Sequence, residues 1–318
     1  MRPAPRQPPS LIMFLTMGIA LSACSGDGDD TNRPDDGSNG GAQAATRLDE
    51  ALGRLSASTL VRAATTKATS FDVILFGDNE RIAELAADDE KQWTGMLSWG
   101  GPGPEALPTD ISGLGLDLEA ASYSINVGFG MPDAVILVSG GQSEDAVRDG
   151  AAELGYEGDP ILDVAEATDP VSWATQVQPL GEDVVIGGED ADLDALDPDG
   201  DTLKDEQKIA GVVSCLDDPL AALIAPQGED GEAIGVGLTV DGDEKHAIYC
   251  LPGDEARADA LVKALSNPSG PTSPNGPSLQ DIRSEVSDGM IRATATIDDK
   301  WNPNAAFSPY LQMWLIDV

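Results

Sequence analysis

One cluster of acidic residues has a spacing that could bind a divalent cation. Asp197, Asp199 and Asp201 alternate with other residues, as carboxylates do at the start of an EF-hand calcium loop. The match then fails, because the sixth position is Thr202 instead of glycine and the twelfth is Lys208 instead of glutamate. We therefore expect a solvated acidic loop, with weak calcium binding as the alternative. The sequence indicates no other metal site and no cofactor.

Catalytic motifs are absent from the sequence. His246 is the only histidine, and the motif spacing gives neither a pair of histidine metal ligands nor a Ser-His-Asp triad. We expect a structural role for His246, with a general base as the alternative. The glycines form neither a dinucleotide fingerprint nor a phosphate loop, and there is no Gly-Xaa-Ser-Xaa-Gly nucleophile elbow. We predict a protein that is not an enzyme. The alternative is a hydrolase that uses carboxylates distant in sequence, as glycosidases do without any local motif.

The first residues have the pattern of an export signal. Arg2 and Arg6 precede an apolar run at residues 11–21, which is too short to span a bilayer and is typical of a signal peptide. The run ends in Leu21-Ser22-Ala23-Cys24, which resembles the lipobox of bacterial lipoproteins. The resemblance implies cleavage after residue 23 and a lipid on the Cys24 thiol. It places the protein on the outer face of a membrane, with the membrane as its first partner. An ordinary secretory signal that happens to contain a cysteine is the alternative.

Residues 24–46 predict a disordered tether. Residues 25–41 consist of Ser, Gly, Asp, Asn, Thr, Pro and Arg without a large apolar side chain, so they cannot bury enough surface to fold. The expected plan is a folded head, from residue 47 onward, held at a distance from the lipid anchor.

Two cysteines remain in the head, Cys215 and Cys250. In an oxidising exported compartment an isolated pair of cysteines predicts a disulfide. A redox-active pair is the alternative, but it usually uses a Cys-Xaa-Xaa-Cys turn, which is absent. We therefore predict a structural disulfide that ties a helical segment to the end of a strand.

The charge balance limits the partners of the head. The chain has 56 acidic residues against 18 basic residues and a net charge of −38, a field that repels phosphate backbones. The composition therefore excludes nucleic acid as a plausible partner and leaves an envelope protein or a cell-wall component.

The pattern of strands and helices predicts an α+β head made of two related lobes, residues 47–202 and 203–318. Each lobe is expected to be an antiparallel sheet with helices on one face, built as strand, strand, helix, strand, strand, in copies offset by about 110 residues. The predicted segments are 123–130, 133–139, 143–154 (helix), 172–178 and 183–187 in the first copy, and 233–240, 245–251, 254–265 (helix), 279–286 and 290–297 in the second.

Outside the two copies, the sequence predicts a strand at residues 71–76, a helix that carries Ile209, Val212 and Leu216, and four further elements. These are one amphipathic helix over residues 47–64, a helix over residues 79–87 capped by Asn79, a strand at residues 96–99, and a short helix opening at Asp218-Pro219.

The last residues are rich in aromatic side chains: Trp301, Phe307, Tyr310 and Trp314. From Phe307 onward they have helical spacing, which favours a terminal helix that docks on its own sheet. The functional alternative is an exposed aromatic patch that binds a partner or a glycan, since Trp and Tyr are enriched at binding hot spots.

Overall fold

The protein is an α+β structure built on one large antiparallel sheet. The computed structural model describes residues 45–63, 73–101, 111–128, 132–164, 174–226, 233–266 and 279–308. The strands are β1 (Ile74–Gly77), β2 (Tyr123–Val127), β3 (Val135–Ser139), β4 (Leu162–Asp163), β5 (Gln176–Leu180), β6 (Asp183–Gly187), β7 (Ala221–Ala225), β8 (Ile234–Asp241), β9 (Glu244–Pro252), β10 (Leu279–Ser287) and β11 (Met290–Ile297). The helices are α1 (Arg47–Gly53), α2 (Ser58–Ala63), α3 (Asn79–Asp88), α4 (Glu90–Trp93), α5 (Glu144–Glu153), α6 (Gln207–Leu216) and α7 (Glu255–Leu265).

The sheet is continuous across both halves of the chain. Its strand order is β10-β11-β9-β8-β7-β1-β2-β3-β6-β5-β4, and every neighbouring pair is antiparallel. The four-residue strand β1 lies at its centre and pairs with β2 on one side and with β7 on the other. The described residues belong to one compact unit that begins at Ala44. The predicted division into two lobes is therefore not confirmed.

Helices cover both faces of this sheet, where the sequence predicted one. Alternate residues of each strand point to opposite faces, so Ile74 and Phe76 of β1 pack into one core while Leu75 packs into another. The first core is closed by α1 and α6. On the opposite face, α3 and α7 pack over the strands of the second half, and α5 packs over β3, β5 and β6. Among the described residues, no helix combines the length and the apolar character needed to cross a bilayer.

The prediction of a single helix over residues 47–64 is wrong, because this segment contains two helices, α1 and α2. Arg54 ends α1, and the next residues form isolated β-bridges to a distant part of the chain, Leu55 with Leu196 and Ser56 with Thr202. Backbone hydrogen bonds to residues 195–203 thus replace the intrahelical bonds that an uninterrupted helix would make.

Two other predicted elements have a different structure. Residues 96–99, predicted as a strand, continue a 3-10 helix at Thr94–Met96 into turns, with the amide of Leu97 donating to Thr94 and that of Trp99 to Met96. The segment after Pro219, predicted as a helix, is strand β7. All five of its residues are buried, so it has no alternating pattern by which a strand is recognised.

The helix predicted at residues 79–87 is present as α3, but its cap is Asp78 instead of Asn79. The Asp78 carboxylate accepts a hydrogen bond from the amide of Arg81 (3.1 Å). Asn79 is fully buried, and its side-chain amide donates to the carbonyls of Leu97 (2.8 Å) and Leu118 (3.1 Å). Asn79 thus fastens the segments that contain Leu97 and Leu118 to the start of α3.

Candidate functional site

A surface cleft of about 310 Å³ lies between α4 and the turn that follows β11. We call it the Trp301 cleft. It is lined by Asp89, Lys91, Gln92, Asp299, Lys300, Trp301 and Asn302.

Local hydrogen bonds fix both walls of the Trp301 cleft. On one wall, Asp89 caps α4 by accepting a hydrogen bond from the amide of Gln92 (3.2 Å). On the other wall, the Asp298 carboxylate accepts from the backbone amide of Lys300 (3.2 Å) and from its ammonium group (2.8 Å), which holds the pKa of Asp298 below its usual range. Asn302 then caps a 3-10 helix, Pro303–Phe307, by accepting from the amide of Asn304 (3.0 Å).

Lys245 lies behind the Trp301 cleft and connects its two walls. This residue of β9 is only 2% exposed, and its ammonium group donates to the carbonyls of Trp301 (2.8 Å) and Asp299 (3.2 Å). The orientation assigned to the Gln92 amide is the one that satisfies both neighbours, in which its nitrogen donates to Asp89 and its oxygen accepts from Lys245. Three acceptors thus satisfy three donors, and the buried ammonium joins α4 to the turn after β11.

Burial and the nearby carboxylates shift the pKa of Lys245 in opposite directions. Burial lowers its pKa, because removal from water disfavours the charged form, whereas the nearby carboxylates of Asp299, Asp298 and Asp89 act in the raising direction. The burial effect is larger. No carboxylate oxygen within the described ranges lies at ion-pair distance from this ammonium, so it is held by neutral carbonyl oxygens.

Several polar groups of the Trp301 cleft have no partner among the described residues. The Asp299 carboxylate, the Lys91 ammonium and the side-chain nitrogen of Asn302 make no hydrogen bond there. The indole nitrogen of the partly buried Trp301 is shielded from solvent and also lacks a partner in this part of the chain. The cleft therefore offers both donors and an acceptor beside an aromatic ring.

The four aromatic residues predicted near the chain end have different positions. Trp301 lines the cleft. Phe307 is 8% exposed and stacks on Trp99, with ring centroids 4.0 Å apart, so it is a core residue and not part of an exposed patch. Tyr310 and Trp314 lie outside the described residues, as does most of the predicted terminal helix.

Asp197 of the predicted calcium cluster is engaged by an arginine. Arg54 donates from Nε to Asp197 Oδ1 (2.8 Å) and from Nη2 to Asp197 Oδ2 (2.6 Å), and this pairing holds the pKa of Asp197 below its usual range. Asp199 and Asp201 are exposed. In the described ranges, the structure brings no three His, Cys, Asp or Glu side chains together as metal ligands, and these three aspartates are among the residues compared.

The predicted disulfide is present. Cys215 of α6 and Cys250 of β9 are bonded, with their Cα atoms 6.0 Å apart, and the bond fastens the helix to the sheet. His246 lies on β9 with Nε2 3.7 Å from Glu244 and Nδ1 3.5 Å from the Thr296 hydroxyl. Cys24 lies outside the described residues.

Comparisons with known proteins give no family. No family model matches the chain, and no curated protein sequence matches it. Two solved structures of TP0453 overlap it: crystal form I with a TM-score of 0.43 at 13% identity, and crystal form IV with a TM-score of 0.37 at 12% identity. These alignments cover 76% and 77% of this chain and 94% of TP0453 in both cases. They identify neither a family nor a ligand.

Proposed function

We propose that the protein is an extracytoplasmic lipoprotein, anchored to a membrane through Cys24, whose head binds an envelope component without catalysing a reaction. The observation that carries the proposal is Leu21-Ser22-Ala23-Cys24 directly after the apolar run at residues 11–21. The Cys215–Cys250 bond supports it, because disulfides persist in oxidising, exported compartments. The excess of acidic residues supports a partner other than nucleic acid.

The anchor is tested by replacing the lipidated thiol. We expect full-length wild-type protein to incorporate labelled palmitate and to fractionate with membranes, and a Cys24→Ser variant to do neither. The double variant Cys215→Ala/Cys250→Ala is the control, because it removes the other two cysteines of the chain and leaves the anchor. Equal membrane association of Cys24→Ser and wild type, without palmitate in either, would contradict the proposal.

We also infer that the two halves of the head descend from one duplicated unit. The segments β2-β3-α5-β5-β6 and β8-β9-α7-β10-β11 have the same element order, apart from the two-residue strand β4 that precedes β5 in the first. In each, the fourth strand lies between the second and the third in the sheet, and the helix packs on the same face. This shared connectivity supports two related lobes that have merged into one sheet through β1 and β7.

A second candidate function is an exported hydrolase that uses dispersed carboxylates. The observation that favours it is the presence of Asp89 and Asp299 in the Trp301 cleft, since glycoside hydrolysis uses a pair of carboxyl groups. Cleavage of an oligosaccharide by wild type, lost in both Asp89→Asn and Asp299→Asn, would establish this function in place of non-catalytic binding.

A further inference from the structure

We propose that the Trp301 cleft is a binding site for a neutral saccharide of the cell envelope. This inference rests on the proposed function and names the ligand class and its site. Two other polar features of the described residues, at Asn126 and at Arg54, do not indicate a binding site. The fully buried Asn126 of β2 has no partner for its side-chain amide within the described ranges, but it does not line the Trp301 cleft. The Arg54 network is satisfied by its own carboxylates.

The charges of the Trp301 cleft favour a neutral ligand. Three carboxylates, Asp89, Asp298 and Asp299, are balanced by three ammonium groups, Lys91, Lys245 and Lys300, and Lys300 is already paired with Asp298 at 2.8 Å. An anion would therefore meet carboxylates, and a cation would meet ammonium groups, at close range. A strongly charged ligand thus gains little, and an apolar ligand would displace water from the polar groups of the walls without replacing its hydrogen bonds.

The unpartnered groups fit hydroxyl chemistry. A hydroxyl both donates and accepts a hydrogen bond. It can donate to the Asp299 carboxylate, and it can accept from the Lys91 ammonium or from the side-chain nitrogen of Asn302, which have no partners in the described part of the chain. A sugar presents several such hydroxyls around a ring with apolar C–H edges, and the partly exposed Trp301 offers an aromatic surface beside them.

Size and rigidity agree with a small part of a glycan. A volume of about 310 Å³ is at the lower end of small-molecule sites, which span ~300–1,000 Å³, and it admits a mono- or disaccharide unit. The walls are held in advance by Lys245, whose ammonium group bonds both of them. A ligand therefore does not have to order the site when it binds, which limits the entropic cost.

The test measures binding of defined probes to the full-length protein in detergent. The probes are the neutral oligosaccharides chitotriose, mannotriose and maltotriose, with inorganic phosphate and spermidine as charged probes, and binding is followed by calorimetry and by saturation-transfer NMR. We expect saturable binding of at least one neutral oligosaccharide and none of the charged probes. Trp301→Ala and Asp299→Asn should each weaken that binding by about tenfold or more.

Two features keep the variants interpretable. Lys245 bonds the backbone carbonyls of positions 299 and 301, so these substitutions leave that connection in place. Asp259→Asn, on the exposed side of α7, is the matched control for the loss of one carboxylate and should bind as wild type does. Circular dichroism of each variant reports whether the sheet is intact.

The proposal is overturned if none of the three oligosaccharides binds, if a charged probe binds instead, or if folded Trp301→Ala and Asp299→Asn bind as tightly as wild type. Failure here is distinct from failure of the proposed function. Retention of full-length protein on isolated cell-wall material, undiminished by the two cleft variants, would leave envelope binding in place and remove the Trp301 cleft as its site.

Discussion

At the scale of single residues, Arg54 joins three parts of the chain. It follows α1, pairs in a two-pronged manner with Asp197, and reaches Asp183 at the start of β6 (2.8 Å). Asp183 in turn accepts hydrogen bonds from the Ser139 hydroxyl (3.0 Å) and the Gly140 amide (2.7 Å). The Arg54 side chain is 21% exposed, so these charge-assisted bonds are partly shielded from water.

We expect Arg54→Met to lower the free energy of unfolding at pH 7 by roughly 1.5–3 kcal/mol, because hydrogen bonds to charged groups are lost. Arg54→Lys should lose less of the unfolding free energy than Arg54→Met, but it should remain less stable than wild type. An ammonium group cannot form the two parallel hydrogen bonds that the planar guanidinium group forms with a carboxylate. Urea denaturation measures both. The control is Arg148→Met, which removes exposed ion pairs to Glu144 and Asp159 and should cost less than about 1 kcal/mol.

The difference in unfolding free energy between wild type and Arg54→Met should become smaller at low pH. The pKa of Asp197 is lowered in the folded protein, so its ionised form stabilises the fold above its ordinary pKa of 3.8. That stabilisation is lost as the pH falls through the lower, folded-state value. Asp197 is 57% exposed, so its ion pair contributes the smaller part of the stability that Arg54 provides. A stability gap between wild type and Arg54→Met that widened below pH 4 would rule this account out.

At the scale of elements, the Cys215–Cys250 bond fastens α6 to β9 across a sequence separation of 35 residues. Closing a loop of that length stabilises a protein by about 4 kcal/mol in the chain-entropy model. Met290 of β11 also lies close to Gly211 of α6, so the helix is held by packing as well as by the bond.

We expect the double variant Cys215→Ala/Cys250→Ala to unfold at lower urea concentration, with a loss of roughly 2–5 kcal/mol. Chemical reduction of the wild-type protein should give a similar loss, and thiol titration under denaturing conditions should show that these two cysteines do not react before reduction. A loss of less than about 1 kcal/mol would mean that packing alone holds α6 in place.

The elements differ in how well the sequence predicts them. The elements from β8 to β11 were predicted to within a residue or two at each end, because a polar turn separates β8 from β9, β11 alternates apolar and polar residues, and α7 begins at a capping Asp254. Strand β7 was missed because it is buried on both faces and carries no alternation. The break after α1 depends on pairing with residues far along the chain, which a local window cannot reveal.

The Trp301 cleft was predictable only in part. Trp301 was selected from the sequence as a binding candidate, but Asp89 and Gln92 come from α4, far away in sequence. One local signal was present: Lys245 shares a strand face with the buried Ala247, Tyr249 and Leu251. A lysine on the apolar face of a strand is rarely buried without acceptors, and here its acceptors belong to the cleft walls.

At the scale of the whole molecule, the two halves share their interior. One core contains Leu48 of α1 and Tyr123 of β2 together with Ile209 of α6 and Cys250 of β9. The central strand β1 is hydrogen-bonded to both halves. Unfolding one half would therefore expose apolar surface and unpaired strand edges of the other.

We expect the head to unfold in one cooperative transition, so that urea curves followed by far-ultraviolet circular dichroism and by tryptophan fluorescence coincide. Phe76→Ala in β1, at the junction of the halves, should move both curves together, whereas Leu180→Ala, at an exposed end of β5, should move neither. Two separated transitions would indicate that the halves are independent in stability.

The two edge strands of the sheet decide whether copies of the protein can associate by strand pairing. One end is the two-residue strand β4; the other, β10, is interrupted by a bulge at Asp281 and carries Arg283 and Glu285 outward. Short, bulged and charged edges do not accept a strand from a neighbouring molecule. For a protein anchored to a membrane as proposed, collisions between copies would be frequent, so we expect copies to stay separate at high density instead of pairing their sheets edge to edge.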